Sequence, residues 1–426
     1  MLIFYKIITT FMYPLFIILI YFRKLKKREH TSRYKEKIFP SHFKNISPKK
    51  DPLLWFHAAS IGELSSILPI IEYLNHTDDY QFLITTTTVS SSELAEKKFK
   101  NLSNVHHRFF PLDVNFLMSK FINLWKPSVI FLVDSEIWPN LIIEINKNKI
   151  PLALINARIT SKTFKRWNFF LASAKKIFSL IDLAITANKE TKNYLKIFNV
   201  KKINYHGNIK LFSKIETNDF GNPNGKFLAK NKFWLAVSTH KGEEKLCLDV
   251  HLNLKKELEN VITIIAPRHI ARVNDIQNLC TSLNLSSQIL NFNNPVKENK
   301  EIIIINSFGV LNYFFKYAKS VFIGKSTLKR LENDGGQNPI DAAKLGCKIY
   351  HGPYIYNFQE IYEMLNFHGI SKKINNVKEL SENLKMDFNQ YHEKNENISL
   401  LIKNIGNQTF LNTIKNLENF IKNASI

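Results

Sequence analysis

The sequence predicts an α/β protein built from two consecutive doubly wound domains with parallel sheets. Three observations carry that expectation. Short apolar runs of strand length alternate with amphipathic segments, and strands separated by helical stretches of ~10–15 residues form βαβ units. A polar break, Thr217–Lys226 (TNDFGNPNGK), interrupts the alternation, which then restarts. Polar and glycine-bearing clusters recur just after the apolar runs, on the edge where open α/β sheets bind ligands.

The chain opens with an exception. Leu2 to Phe22 is apolar apart from Lys6, two threonines and Pro14, and stops at RKLKKREH. A bilayer span takes ~20 apolar residues, so residues 1–24 are expected to form a hydrophobic membrane-anchor helix, either crossing or lying in the interface. Positive charge follows this segment, at Arg23, Lys24, Lys26, Lys27 and Arg28. A secretory signal peptide carries its charge before the apolar core. The positive-inside tendency therefore sets the remaining chain on the cytoplasmic side. A basic linker is expected over 25–50.

The first α/β domain is expected over 51–218. Its strands fall at Leu53–His57, Gln81–Thr85, His107–Phe110, Ser128–Val133, Pro151–Ile155 and Leu183–Thr186. Helices are expected between them at Leu64–Leu74, Ser91–Phe99, Asn115–Trp125, Pro139–Asn146 and Phe164–Leu180. The second domain, 227–395, has strands at Phe233–Val237, Val261–Ala266, Glu301–Ile305, Ser320–Ile323 and Lys348–His351. Its helices are expected at Glu243–Leu258, Val273–Leu283, Val310–Tyr317 and Pro339–Leu345, before a Lys/Asn-rich helical tail over 396–426. Two such domains in succession predict a ligand cleft between them.

Composition limits the function classes. At 426 residues the chain exceeds one ordinary core. Its 45% hydrophobic and 22% charged content is that of a globular protein. The formal charge of +23 favours anionic partners such as acidic head groups or phosphorylated glycolipid. The basic residues are spread along the chain with no reading helix or aromatic platform, so no nucleic acid is expected as a partner. Cys247, Cys280 and Cys347 are too widely spaced for a metal cluster or a disulfide framework, and point to a reducing compartment.

Familiar signatures are missing. Gly324-Lys325-Ser326-Thr327 resembles the end of a P-loop, but Lys319 stands where that motif needs glycine. No Asp-x-Asp pair and no Gly-x-Gly-x-x-Gly fingerprint occurs, so the usual metal–diphosphate clamp of many sugar-nucleotide enzymes is missing and a dinucleotide cofactor is not expected. What remains is the set of strand-end clusters. Leu53 to Glu63 (LLWFHAASIGE) runs from a buried strand through Ser60 and Gly62 to the acidic Glu63. Two readings fit Glu63: a first-turn residue suiting the helix dipole, or a reactive carboxylate at a strand terminus. Further clusters are Asp134-Ser135-Glu136 with Trp138-Pro139-Asn140, Asn156-Ala157-Arg158, and Gly207-Asn208-Ile209-Lys210. In the second half come Ser238-Thr239-His240 with Gly242-Glu243, Pro267-Arg268-His269 and Gly335-Gly336-Gln337-Asn338-Pro339. Each alone also reads as a cap or turn, and Asn338-Pro339 as an N-cap with proline at N1. Their repetition on one edge is the functional signal.

HAASIGE, the threonine run Thr85–Thr88, DSEIWPN, INAR, GNIK, STHKGEE, APRH, GGQNPIDAA and HGPYIYNFQE resemble, in order, the motifs of the 3-deoxy-D-manno-octulosonic acid (Kdo) transferases of lipid A biosynthesis. The resemblance implies two Rossmann-like domains of glycosyltransferase-B type and an inverting, metal-independent enzyme. It implies CMP-Kdo as donor, a lipid A precursor as acceptor, and the cytoplasmic face of the bacterial inner membrane as location. By the same resemblance Glu63 is the general base, Asp134 (usually Glu in the family) and Lys210 are electrostatic stabilisers, and Ser60, Gly62, Glu136 and Arg158 belong to the acceptor side. Ser238, His240, Pro267, Arg268, Phe308, Gly309, Val310, Gly336, Asn338, Pro339, Ile340 and Asp341 surround the nucleotide. Ser307-Phe308-Gly309-Val310 stands where the family typically shows Gly-Glu, Gln337 where it shows His, and Lys325 where it shows a second Gly. Two other readings stay open: a two-domain transferase using another sugar nucleotide, and a non-catalytic, membrane-tethered binder of anionic lipid.

Overall fold

The computed structural model describes residues 2–44, 51–77, 79–213, 215, 222–332, 335–389 and 396–424. Part of the polar break, Thr217 to Gly221, and Asp334 lie outside the described residues. The chain divides into two compact units, Met1–Ser213 with Gly406–Ile426, and Lys214–Ile405.

Unit 1 begins with α1 (Leu2–Phe11) and α2 (Tyr13–Leu25). The single anchor helix expected from the sequence is corrected here to a pair bent by 56°. Pro14 at the start of α2 has no N–H and crowds the carbonyl four residues back, so the helix breaks at Met12. Among the described residues no single helix is long and apolar enough to cross a membrane, although the bent pair together could by length and composition. Ile3, Phe4 and Phe11 are 77%, 65% and 81% exposed.

The basic stretch that follows is not a free linker as far as Lys44. Tyr34, Ile38 and Phe43 are buried, Lys37 donates to Glu29 and to the Thr87 carbonyl, and Arg33 pairs with Glu36.

The first sheet is built from β1 (Leu53–His57), α3 (Ile61–Thr77), β2 (Gln81–Thr86), α4 (Val89–Phe99), β3 (Val105–Phe109), α5 (Asn115–Trp125) and β4 (Val129–Val133). Then come α6 (Pro139–Lys147), β5 (Leu152–Ala157), α7 (Ser161–Phe169), α8 (Leu171–Phe178), β6 (Leu183–Thr186), α9 (Lys189–Ile197) and β7 (Lys202–Tyr205). All strands pair in parallel, in the order β3-β2-β1-β4-β5-β6-β7. The order reverses between β1 and β4, the switch point at which a doubly wound sheet opens a crevice. Leu64, Ile67, Ile71 and Leu74 recur on one side of α3 and pack with Phe56 on one face of the sheet. Trp55, Phe121 and Leu141 fill the other face. Each such side chain, fully buried, contributes about 1.5–3 kcal/mol.

Unit 2 repeats the plan with α10 (Gly225–Lys230), β8 (Phe233–Thr239), α11 (Glu243–Lys255), β9 (Ile262–Pro267), α12 (Val273–Ser282), β10 (Ser287–Leu290) and β11 (Ile302–Ile305). It continues through α13 (Leu311–Tyr317), β12 (Ser320–Ile323), α14 (Ile340–Lys344), β13 (Lys348–His351), α15 (Gln359–Phe367), β14 (Ser371–Lys373) and α16 (Val377–Asn389). The order β10-β11-β9-β8-β12-β13-β14 places its switch point between β8 and β12. The last helix, α17 (Glu396–Ala424), is not a separate tail. From Gly406 on it belongs to unit 1, where Phe410, Ile414, Leu417 and Ile421 complete the layer around α3. Phe410 stacks on Phe212 at 3.9 Å between ring centroids.

Candidate active site

In unit 1 the loops leaving β1, β4, β5 and β7 carry the sequence-predicted residues. After β1 the chain turns through Ala58–Ser60 into α3. The Glu63 carboxylate folds back on that turn, accepting from the Ala59 N–H at 2.8 Å and the Ser60 hydroxyl at 2.7 Å. The capping reading of Glu63 is therefore part of the structure. The side chain is nonetheless half-buried, not sunk in the core. Burial raises its pKa above the ordinary carboxylate value of 4.5. The Ser60 hydrogen bond opposes that rise, while the negative charges of Glu136 and Asp134 add to it. The result is a carboxylate more basic than usual, facing two other acidic groups across the β1–β4 switch point.

Those two are held differently. Glu136 accepts from Trp138 Nε1 at 2.8 Å and pairs with His57 Nε2 at 3.2 Å. Burial pushes its pKa up, but His57 and Trp138 outweigh that and leave it lowered, so it stays ionised. His57, fully buried at the end of β1, reaches Thr85 through Nδ1 at 3.0 Å and stacks on Phe110 at 3.8 Å. Asp134 sits at φ 61 at the end of β4 and lies 3.6 Å from Lys210 Nζ. Its backbone carbonyl accepts from the Arg158 N–H at 3.1 Å. The Lys210 turn is fixed from within: Asn156, at φ 53, accepts from the Ile209 N–H, and Asn208 from the Lys210 N–H. The structure thus brings Glu63, Asp134, Glu136, Arg158 and Lys210 to one end of one sheet, with Ser60 and exposed Gly62 beside Glu63.

Unit 2 has its own switch-point cluster. Ser238, the last residue but one of β8, is at φ 55, and its carbonyl is 3.1 Å from His240 Nδ1. Burial lowers the His240 pKa. Fully buried Glu243 spans the switch point. It accepts from the amides of His240 (2.9 Å), Lys325 (2.6 Å), Ser326 (2.9 Å) and Thr327 (3.0 Å), and from the Thr327 hydroxyl (2.9 Å). Gly324 leaves no room for a side chain, since a Cβ there would stand 2.7 Å from Thr239 Cα. Lys325 is at φ 58, a backbone that glycine adopts without strain.

Pro267 closes β9 and Arg268 is exposed beyond it. Phe308 is 72% exposed beside Gly309 at φ 75, and Val310 caps α13. Gly336, at φ 89, donates to the Lys325 carbonyl at 2.6 Å. Here the structure moves a boundary: Pro339, not Asn338, is the N-cap of α14, and Asn338 accepts from the Ile340 N–H at 3.1 Å. Ile340 is buried and Asp341 lies in the first turn. Among the described residues no group of three or more His, Cys, Asp or Glu side chains is placed to hold a metal ion.

The strand-end clusters of the sequence include Trp138, Asn156, Asn208 and Glu243, and His57 opens the HAASIGE motif, but none of the five was given a role as a holder of its neighbours. Trp138 and Asn208 serve residues two positions away, whereas His57, Asn156 and Glu243 also reach parts of the chain that no spacing connects.

The family profile described as 3-Deoxy-D-manno-octulosonic-acid transferase (kdotransferase) matches residues 31–213. The chain is 30% identical over 378 residues to a probable mitochondrial 3-deoxy-D-manno-octulosonic acid transferase of Arabidopsis thaliana, spanning 85% of this chain and 81% of that protein. It is also 30% identical over 357 residues to the 3-deoxy-D-manno-octulosonic acid transferase of Rickettsia bellii, covering 82% of each. In fold it is similar to a solved glycosyltransferase from Rickettsia africae, with a TM-score of 0.53 and 11% identity over 88% of this chain and 99% of that one. Identity at this level along four-fifths of its relatives makes the chain a glycosyltransferase that belongs to the 3-deoxy-D-manno-octulosonic acid transferase family.

Proposed function

We propose that the chain transfers Kdo from CMP-Kdo to a lipid A precursor with inversion, using Glu63 as general base. The observation that carries this reading is the half-buried Glu63 carboxylate, held by Ala59 and Ser60 at the switch point of unit 1, where burial raises its pKa. An acceptor hydroxyl beside Glu63 gives up its proton to that carboxylate as its oxygen bonds to the sugar carbon bearing CMP. The bond from that carbon to the phosphate oxygen breaks, and CMP departs with the electron pair. Asp134 holds Lys210, whose ammonium offsets negative charge on the donor carboxylate or the departing phosphate. Ser60, Gly62, Glu136 and Arg158 line the acceptor side. In unit 2, Ser238, His240, Pro267, Arg268, Phe308 to Val310, Gly336 and Asn338 to Asp341 hold the nucleotide, and the chemistry needs no metal or cofactor.

The bent helices α1 and α2 attach the enzyme to the cytoplasmic face of the bacterial inner membrane. Their exposed Ile3, Phe4 and Phe11 enter the interface, and the basic run Arg23 to Arg28 meets anionic head groups. The test is incubation with CMP-Kdo, generated in the assay, and a lipid A precursor, followed by mass spectrometry of the lipid. Addition of one or more Kdo masses is expected. Unchanged lipid, with CMP-Kdo consumed only as fast as it hydrolyses alone, overturns the proposal.

A further inference from the structure

The N-terminal helices do more than present apolar side chains outward. Two polar side chains of α1 turn inward, onto the rest of unit 1. The Tyr5 hydroxyl donates to Asp113 Oδ2 at 3.0 Å. Buried Thr9 accepts from Asn140 Nδ2 at 3.0 Å. Both targets are buried, and both organise the start of α6. Asp113 accepts from the Asn140 N–H at 3.1 Å and the Leu141 N–H at 2.8 Å, and Asn140 Nδ2 returns a bond to the Asp113 carbonyl at 2.6 Å. Trp138 immediately precedes this turn as the N-cap of α6, and its indole N–H holds Glu136, which pairs with His57.

A helix that only had to enter lipid would gain nothing from these inward hydroxyls. Desolvating a hydroxyl is worthwhile where it completes a buried network.

We infer that Tyr5 and Thr9 are positioning residues for the acceptor-side cluster, acting through Asp113 and Asn140 on the α6 turn that carries Trp138 and Glu136. The anchor helices are thus a working part of the transfer site as well as its attachment to lipid. This inference rests on the transferase reading for its kinetic half; its structural half stands without it.

The test uses the full chain in detergent, with the lipid A precursor dispersed in the same detergent so that membrane attachment does not limit the rate. Tyr5→Phe and Thr9→Val are made singly and together. Both keep side-chain volume, and the single variants keep the test valid should the double fail to fold. Thr10→Val is the control, because the exposed Thr10 hydroxyl bonds back to the Lys6 carbonyl of its own helix.

The double variant is expected to lose about threefold to tenfold in kcat, the scale of one or two hydrogen bonds, with an unchanged KM for CMP-Kdo. The Trp138 emission, taken as the difference against the same protein carrying Trp138→Phe, should shift. Thr10→Val should leave both unchanged.

Parental kcat in the variants overturns the inference. So does a lower kcat with unaltered Trp138 emission, which marks a general loss of fold rather than movement of this turn. If the parent chain transfers no Kdo, the transferase reading fails on its own, and unaltered Trp138 emission in the variants still overturns the coupling.

Discussion

Glu243→Gln is the most demanding test of how unit 2 holds its switch-point loops. The parent carboxylate serves five donors, two on Oε2 and three on Oε1. A glutamine of the same shape supplies one carbonyl oxygen. Placed toward Ser326 and Thr327, that oxygen leaves its NH2 group facing the N–H groups of His240 and Lys325. Each donor stranded against this fully buried side chain costs about 1–3 kcal/mol, so the pair costs about 2–6 kcal/mol. In a unit of this size that lowers the melting temperature by roughly 5–20 °C. Calorimetry of the full chain reads the shift, and hydrogen exchange reads its location. The amides of Lys325, Ser326 and Thr327 should lose protection while β1 and β4 keep theirs. Gly336 donates to the Lys325 carbonyl, so affinity for CMP-Kdo should fall as well. An unshifted melt with those three amides still protected refutes the reasoning.

Three further outcomes follow from the same physics. The acid limb of the kcat profile should have its midpoint above the ordinary carboxylate value of 4.5, because in the proposed mechanism the ionised form of Glu63 is the active one and burial raises its pKa; a limb at or below 4.5 contradicts this. Lys210→Met should cost about 10²-fold or more in kcat, the scale of removing a group aimed at developing charge, with the melting temperature held within a few degrees. Burial, then Arg33 and Arg108, push the His107 pKa down to about 3, so between there and the unfolded value of 6.5 the unfolded chain binds the extra proton. Stability should therefore rise with pH through that window and fall on acidification, more steeply than in His107→Gln; parallel slopes remove His107 as the cause.

Much of the fold was legible because the central strands of a parallel sheet are buried on both faces and read as unbroken apolar runs. VIFLV of β4 and IIII of β11 are examples. The strands that were missed are β10 and β14, and β7 showed only as a short run around Ile203; each lies at a sheet edge, where SQIL, SKK and KINY mix polar residues into short runs. The break between α7 and α8 at Phe169–Phe170 was hidden, since the apolar pattern continues across it. So was the packing of α17 on unit 1, which depends on a contact far along the chain. At the site, the strand-end residues were visible as clusters. What held them was not: the His57–Glu136 pair and the bonds from Lys325, Ser326 and Thr327 to Glu243 join residues 79 or more positions apart.

The central claim is that the carboxylate of residue 63 removes the acceptor proton, and turnover of Glu63→Gln measures it most directly. The substitution keeps shape and the oxygen that Ala59 or Ser60 can donate to, while removing the basic lone pair. With CMP-Kdo and a lipid A precursor at saturation, the account predicts a fall in kcat of about 10²-fold or more, at unchanged melting temperature. Turnover within a few-fold of the parent would contradict it.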